Sequence, residues 1–286
     1  MTPNVQAFFD KATNTVTYLV SDPATKAAAI IDPVLDFDPK AARVSTTSAD
    51  TLLTALADQK LALAWILETH AHADHLSAAD YLRSKTGAKV VIGAHIRTVQ
   101  EAFGALFETQ ADGRVFDRLV EEGETLPLGA LEISVLHTPG HTPACVTYRI
   151  GDAAFVGDTL FMPDYGTART DFPGGDARTL YRSIQRLLNL PDETRIFVGH
   201  DYLPKSRSDF RFETTVGEQK ATNVHVGGGV SEDAFVTMRE ARDATLGAPQ
   251  LILPSLQVNI RAGALPPPDA KGQRSLVLPL NVLGAA

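Results

Sequence analysis

Only one cysteine, Cys145, occurs in 286 residues, which excludes an internal disulfide and a thiolate cage for a metal ion. Nowhere do about 18 apolar residues run together, so the sequence predicts no membrane span. Basic residues are outnumbered, with 26 Lys and Arg against 34 Asp and Glu. The net charge of −8 argues against nucleic acid as a partner, because binding phosphates needs a concentrated basic surface. Met1-Thr2-Pro3-Asn4-Val5-Gln6-Ala7 has neither the positive nor the apolar region of a secretory leader, and the expected location is cytoplasmic. No repeat and no low-complexity tract is present. What is there is ordinary globular composition, 44% hydrophobic and 21% charged, in a chain long enough to bury a large core.

Strand-like and helical segments alternate along the chain. Strands are predicted at Thr15 to Val20, Ala27 to Ile31, Leu61 to Leu67, Lys89 to Ile92, Leu131 to Leu136, Val146 to Ile150, Ala153 to Val156 and Arg195 to Val198. Helices are predicted at Ser48 to Gln59, with Ser48 or Asp50 as cap, and at Ser77 to Ser84, Thr98 to Phe107 and Asp176 to Leu188. The fold class is therefore α/β, with every candidate functional residue at the end of a strand. We read 1–286 as a single domain in which residues 201–286 form a C-terminal extension packed on the core. In that extension Ser231 to Thr245 reads as a helix. Pro249, Pro254 and Pro266-Pro267-Pro268 are expected to break any regular element beyond it.

Five of the eight histidines fall in three short segments. His70, His72, Asp74 and His75 lie within six positions, His141 sits in a Gly-His step, and His200 in another; Asp158 adds a carboxylate after Gly157. In extended backbone, residues 70 and 72 project to the same side, so both imidazoles reach one ion. A turn through Asp74 and His75 brings two more donors. Imidazole with carboxylate suits iron, zinc, manganese or cobalt. Seven donors are too many for one tetrahedral ion: they fit two ions bridged by Asp158, or one ion with the remaining groups behind it. A lone histidine at a strand end is usually just a packed polar residue, and His95 and His225 are read that way. His137 is read as a support, and Cys145 as a buried packing residue.

This donor set, in this order, resembles the metallo-β-lactamase superfamily, which implies an αββα sandwich with the metal site along one edge. Ile31-Asp32-Pro33-Val34-Leu35, Thr69 to His75, Thr138-Pro139-Gly140-His141-Thr142-Pro143-Ala144-Cys145, Arg169-Thr170-Asp171-Phe172 and His200-Asp201-Tyr202 together resemble the persulfide dioxygenases, in their longer bacterial form. That resemblance implies oxidation of glutathione persulfide by O2 to sulfite and glutathione, and one Fe(II) per chain held by His70, His141 and Asp158. His72, Asp74, His75 and His200 would then orient ligands and waters. It also implies a homodimer. Arg169 either pairs with a substrate carboxylate or holds the metal loop through Asp171. Tyr202 either donates a hydrogen bond near the reacting sulfur or simply packs. Arg239 and Arg242 are candidates for a substrate carboxylate, set against a solvated helix face, which is the expectation here. The alternative reading is a thioester hydrolase of glyoxalase II type with two Zn(II), for which all seven ligands are present. A non-catalytic binding protein would have no reason to keep them.

Overall fold

A computed structural model describes residues 2–282. The chain opens with three antiparallel strands, β1 (Asn4–Asp10), β2 (Thr15–Ser21) and β3 (Ala27–Ile31). A ribbon of β4 (Val34–Asp38) and β5 (Arg43–Ser45) leads into helix α1 (Thr47–Asp58). Next come β6 (Ala62–Leu67), the short β7 (Leu76–Ser77), α2 (Ala79–Thr86), β8 (Lys89–Gly93), α3 (Ile96–Phe107) and β9 (Arg118–Val120). The first sheet has the order β1-β2-β3-β6-β8-β9, its last four strands parallel. The second half supplies β10 (Thr125–Leu128), β11 (Leu131–His137), β12 (Val146–Ile150), β13 (Ala153–Phe155), α4 (Ala177–Leu188), β14 (Arg195–Phe197) and β15 (Glu213–Thr215), and these six strands form the second sheet in chain order. Helices α5 (Val216–Thr222), α6 (Glu232–Asp243) and α7 (Ile252–Asn259) follow. No helix of the described residues is long and apolar enough to cross a membrane.

Side-chain alternation explains the layering. On β2, Val16, Tyr18 and Val20 point between the sheets, where they meet Phe155 and Phe197 of the second sheet, while Leu19 faces the helices of the first. On β3, Ala29 and Ile31 go inward and Ala28 and Ile30 outward; on β6, Trp65 and Leu67 go inward and Ile66 outward. Beyond the second sheet, Ala154 and Ile196 pack against Leu180, Ile184 and Leu187 of α4 and Phe235 of α6. Strands buried on both faces and helices on both outer sides make an αββα sandwich, as the family resemblance implied.

Two local readings are corrected. The cap of α1 is supplied from outside it: Asp36 of β4 accepts from the Ser48 amide at 2.9 Å and from its hydroxyl at 2.6 Å, so Ser48 is a donor inside the first turn. A helix also forms where the prolines were expected to forbid one. Pro254 lies in the first turn of α7, where the missing amide hydrogen would have had no helical partner.

Candidate metal centre

Four loops meet at one edge of the sandwich, leaving β6, β11, β13 and β14. They bring His70, His72, Asp74, His75, His141, Asp158 and His200 together, and all but Asp74 are buried. Two sets with no residue in common emerge. Ligating atoms of His70, His141 and Asp158 lie within 4.8 Å of one another, and so do those of His72, Asp74 and His75.

Hydrogen bonds on the far side of each ring decide what faces the centre. The Thr69 hydroxyl donates its only proton to Asp32, at 2.8 Å, and so accepts from His70 Nδ1, 3.0 Å away. His141 Nδ1 donates to the Arg169 carbonyl at 2.7 Å, and His200 Nδ1 to the Asn14 carbonyl at 3.2 Å. In the neutral rings of His70 and His141 this leaves two Nε2 lone pairs facing Asp158, at 3.9 and 3.6 Å, and His200 Nε2 lies 3.3 Å from it; burial opposes charge on His200, but Asp158 and Asp74 raise its pKa. Lone pairs aimed at a carboxylate repel it. The buried Nε2 atoms of His70, His75 and His200, His72 Nδ1 and Asp158 Oδ1 have no hydrogen-bond partner among the described residues. Buried orphans on this scale are costly, and a cation placed among them removes the penalty. The residues fit a metal ion.

The electrostatics agree. Burial, then the neighbouring His72 and His141, hold His70 well below the usual imidazole range, so it is neutral and ready to ligate. Burial raises the Asp74 pKa, but His200 and His75 outweigh it and hold this carboxyl well below its ordinary value. His72 differs. Burial opposes its charge, yet Asp32 at 3.0 Å and Glu68 at 3.5 Å from Nε2 raise its pKa well above normal. Glu68, itself raised by burial, accepts a short hydrogen bond from Ser77. Asp32 and Glu68 were not singled out as site residues from sequence. Asp32 stood there only within the Ile31-Asp32-Pro33-Val34-Leu35 segment of the resemblance, and Glu68 only at the end of an apolar strand.

The remaining expected residues fall as follows. Arg169 grips Asp171 with two contacts of 2.5 Å and donates to the Gly247 carbonyl at 2.9 Å. Its own carbonyl orients His141. Tyr202 stands in an aromatic wall with Phe161 and Tyr165, ring centroids 5.7 and 4.9 Å away. His137 stacks on His95 at 4.3 Å and donates to the Pro143 carbonyl at 2.9 Å, bracing the loop that carries His141. Cys145 is buried and its thiol pushed up to about 12, so it packs as expected.

Arg239 corrects the reading of a solvated helix face. It is 1% exposed, holding Asp243 one turn along at 2.6 Å and the Thr167 carbonyl at 3.2 Å. Asp243 in turn accepts from the Thr170 amide and hydroxyl at 2.8 and 2.9 Å. Helix α7 reaches the other loop. Asn259 donates to the carbonyls of His72 and His75 and accepts from the Ser77 amide, all at 2.8 Å. The segment after residue 201 thus grips both halves of the donor cluster.

Gly140, just before His141, has φ +133°, and a Cβ there would stand 2.3 Å from the backbone of Leu180 in α4. Gly140→Ala is expected to destabilise the fold by about 3 kcal/mol and to shift His141, read as a lowered Tm together with reduced metal content. An unchanged Tm with full metal loading would show that α4 yields freely.

An αββα sandwich with buried imidazoles and carboxylates converging at the strand ends defines a metal-dependent enzyme. The chain belongs to the metallo-β-lactamase superfamily, which it matches over residues 11–200. It is 53% identical to a probable metallo-hydrolase of Burkholderia pseudomallei, over 98% of this chain and 99% of that one. With a Beta-lactamase hydrolase-like protein of Xylella fastidiosa it shares 52% identity over its whole length, spanning 66% of that relative. The human mitochondrial persulfide dioxygenase ETHE1 is 30% identical over 92% of this chain and 90% of its own. Among solved structures, ETHE1 from Myxococcus xanthus superposes with a TM-score of 0.75 at 34% identity, covering 91% of this chain and all of that one.

Proposed function

We propose that this protein is a persulfide dioxygenase, converting glutathione persulfide, O2 and water to glutathione and sulfite with one ferrous ion held by His70, His141 and Asp158. The observation that carries this reading is an asymmetry within the donor cluster. His70 and His141 offer Nε2 lone pairs to a carboxylate that has no hydrogen bond of its own among the described residues. The carboxylate of the other set is already engaged, Asp74 lying 3.2 Å from the Thr15 hydroxyl and 3.1 Å from His75 Nδ1, and His72 Nε2 faces Asp32 and Glu68, although His72 Nδ1 and His75 Nε2 are as unpartnered as His70 Nε2. Likeness to the human and Myxococcus proteins supports the same reading.

Two histidines and one carboxylate leave open positions on an iron that can exchange electrons with substrate and oxygen. This chain's own residues do the rest. Arg169 positions His141 through its carbonyl, its guanidinium being occupied by Asp171. Tyr202 is 36% exposed, yet desolvation by the surrounding protein and then the charges of Asp158 and Asp74 raise its pKa above the ordinary value, so the hydroxyl stays a donor for a hydrogen bond to the substrate sulfur. Phe161 and Tyr165 complete an apolar wall that limits water on that side.

The second reading, a two-zinc thioester hydrolase, is favoured by the second donor set and by the hydrolase names of the 53% and 52% identical relatives. Oxygen uptake by iron-loaded protein given glutathione persulfide, with metal counted on the same sample, separates the two. The dioxygenase predicts sulfite formed mole for mole with oxygen consumed, at about one iron per chain. No uptake by iron-replete protein, with cleavage of an acyl-glutathione by a two-metal form, establishes the hydrolase.

A further inference from the structure

The aromatic wall of the metal cleft comes from two segments that leave different strands. Phe161 and Tyr165 follow Asp158 beyond β13, and Tyr202 follows His200 beyond β14. The rings meet across the gap: Tyr202 lies 4.9 Å from Tyr165 and 5.7 Å from Phe161, and stacks on His200 at 5.4 Å. Ring contacts are a modest attraction that tolerates several geometries, so they do not by themselves fix where two loops stand.

A guanidinium outside the cleft does so. Arg207 commits all five of its N–H groups. Nε and Nη2 donate to Asp164 at 2.6 and 3.3 Å, Nη1 and Nη2 to Asp201 at 2.8 and 2.7 Å, and Nη1 also to the Asp209 carbonyl at 2.8 Å. Asp164 precedes Tyr165 in the chain, and Asp201 stands between His200 and Tyr202. Burial opposes the charge of Asp201, but Arg207 and the amides of Arg211 and Leu203 outweigh it and hold its carboxyl below the ordinary value. A surface ion pair would be worth little; here the Arg207 side chain is 8% exposed and Asp201 fully buried, and both pairings are two-pronged. Gln219, Asn223 and the Val224 amide hold the 161–166 turn from the α5 side. Among the described residues, the side-chain hydrogen bonds joining that turn to the segment after β14 are those of Arg207. Neither Arg207 nor its two carboxylates line the cleft.

We propose that Arg207 is a positioning residue: by bracketing Asp164 and Asp201 it sets the spacing of Tyr165 and Tyr202, and with it the width of the cleft on its aromatic side. This deepens the reading above by naming the residue that places Tyr202, and it rests on substrate meeting that wall, not on which reaction follows. Lysine at 207 would keep the charge, but a single nitrogen cannot reproduce two forked pairings.

Removing Arg207 outright leaves Asp201 buried without its counter-charge and endangers the fold, so the tie is best cut at its other end. The Asp164 side chain is 33% exposed, and Asp164→Ala frees that end while Arg207 stays on Asp201. Kinetics use glutathione persulfide or an acyl-glutathione, whichever the metal-loaded wild-type protein turns over, with metal content and near-ultraviolet circular dichroism measured on the same preparations. Asp164→Ala is expected to keep its metal, to alter the tyrosine dichroism and to raise KM about tenfold with kcat changed less than about threefold. Arg207→Lys should act in the same direction, and Asp164→Glu should recover most of the wild-type KM. In a Tyr165→Ala background, Asp164→Ala should add little, because the tie acts through that ring. Wild-type KM and dichroism in Asp164→Ala confine Arg207 to holding the fold and overturn the assignment, as does loss of metal or a KM effect that persists undiminished without Tyr165. A wild-type protein that turns over neither substrate removes both readings of the reaction, and the dichroism of Asp164→Ala then decides the role of Arg207 alone.

Discussion

Alanine in place of His141 is expected to yield a folded chain that has lost turnover and binds iron more than about a hundredfold more weakly. The ring lines the cleft and belongs to none of the hydrophobic clusters around the sheets, so removing it costs the core little. Its Nδ1 is fixed on the Arg169 carbonyl and its Nε2 is aimed at Asp158 from 3.6 Å. Of the proposed ligand set, it is the one on a short loop braced from three sides. His137 holds Pro143, Gly140 presses on Leu180, and the Arg169 segment covers the ring. Alanine removes one of three proposed ligands and leaves Asp158 facing His70 and His200. Iron content after dialysis, oxygen uptake and circular dichroism on the same preparation check the prediction. Stoichiometric iron with full oxygen uptake would return His141 to a structural role and shift the ligand set toward His72, Asp74 and His75.

The candidate donor cluster was legible in the sequence because its signals are local. His70 to His75 lie on one loop, and the Gly-His and Gly-Asp steps mark the ends of buried strands even before the strands pair. The two-layer core was legible for the same reason: Val16, Tyr18 and Val20 alternate with Leu19, and a period of two survives any tertiary context. What escaped depends on contacts distant in sequence. Arg239 with Asp243 looks like a solvated pair one turn apart, and only the packing of α6 on the Thr167–Thr170 segment turns it into a buried clamp. Pro254 reads as a helix breaker until the helix is seen to start two residues before it. Glu68 is an unremarkable strand-end acid, and Asp32 only a member of a resembling segment, until His72 is placed between them. Asn259 carries no local signal: its partners lie 182 to 187 residues earlier.

Asn259→Ala is for that reason the more informative change, because it tests whether α7 belongs to the site. The side chain is 4% exposed and makes three hydrogen bonds of 2.8 Å, to the carbonyls of His72 and His75 and from the amide of Ser77. Alanine leaves those three backbone groups buried without their partner. At about 1–1.5 kcal/mol for each bond, the expected loss is about 3–5 kcal/mol, or a fall in Tm on the order of 10 °C. The loop they belong to carries His72, Asp74 and His75, so metal affinity should fall as well, by about ten- to a hundredfold. The two readouts separate two meanings. A lower Tm in both metal-free and metal-loaded protein, together with weaker metal binding, makes α7 a clamp on the metal loop. A lower Tm with unchanged affinity confines Asn259 to holding the fold. In that outcome Asp32, Glu68 and Thr15, which approach His72, His75 and Asp74 from the core side, suffice to keep the loop in place.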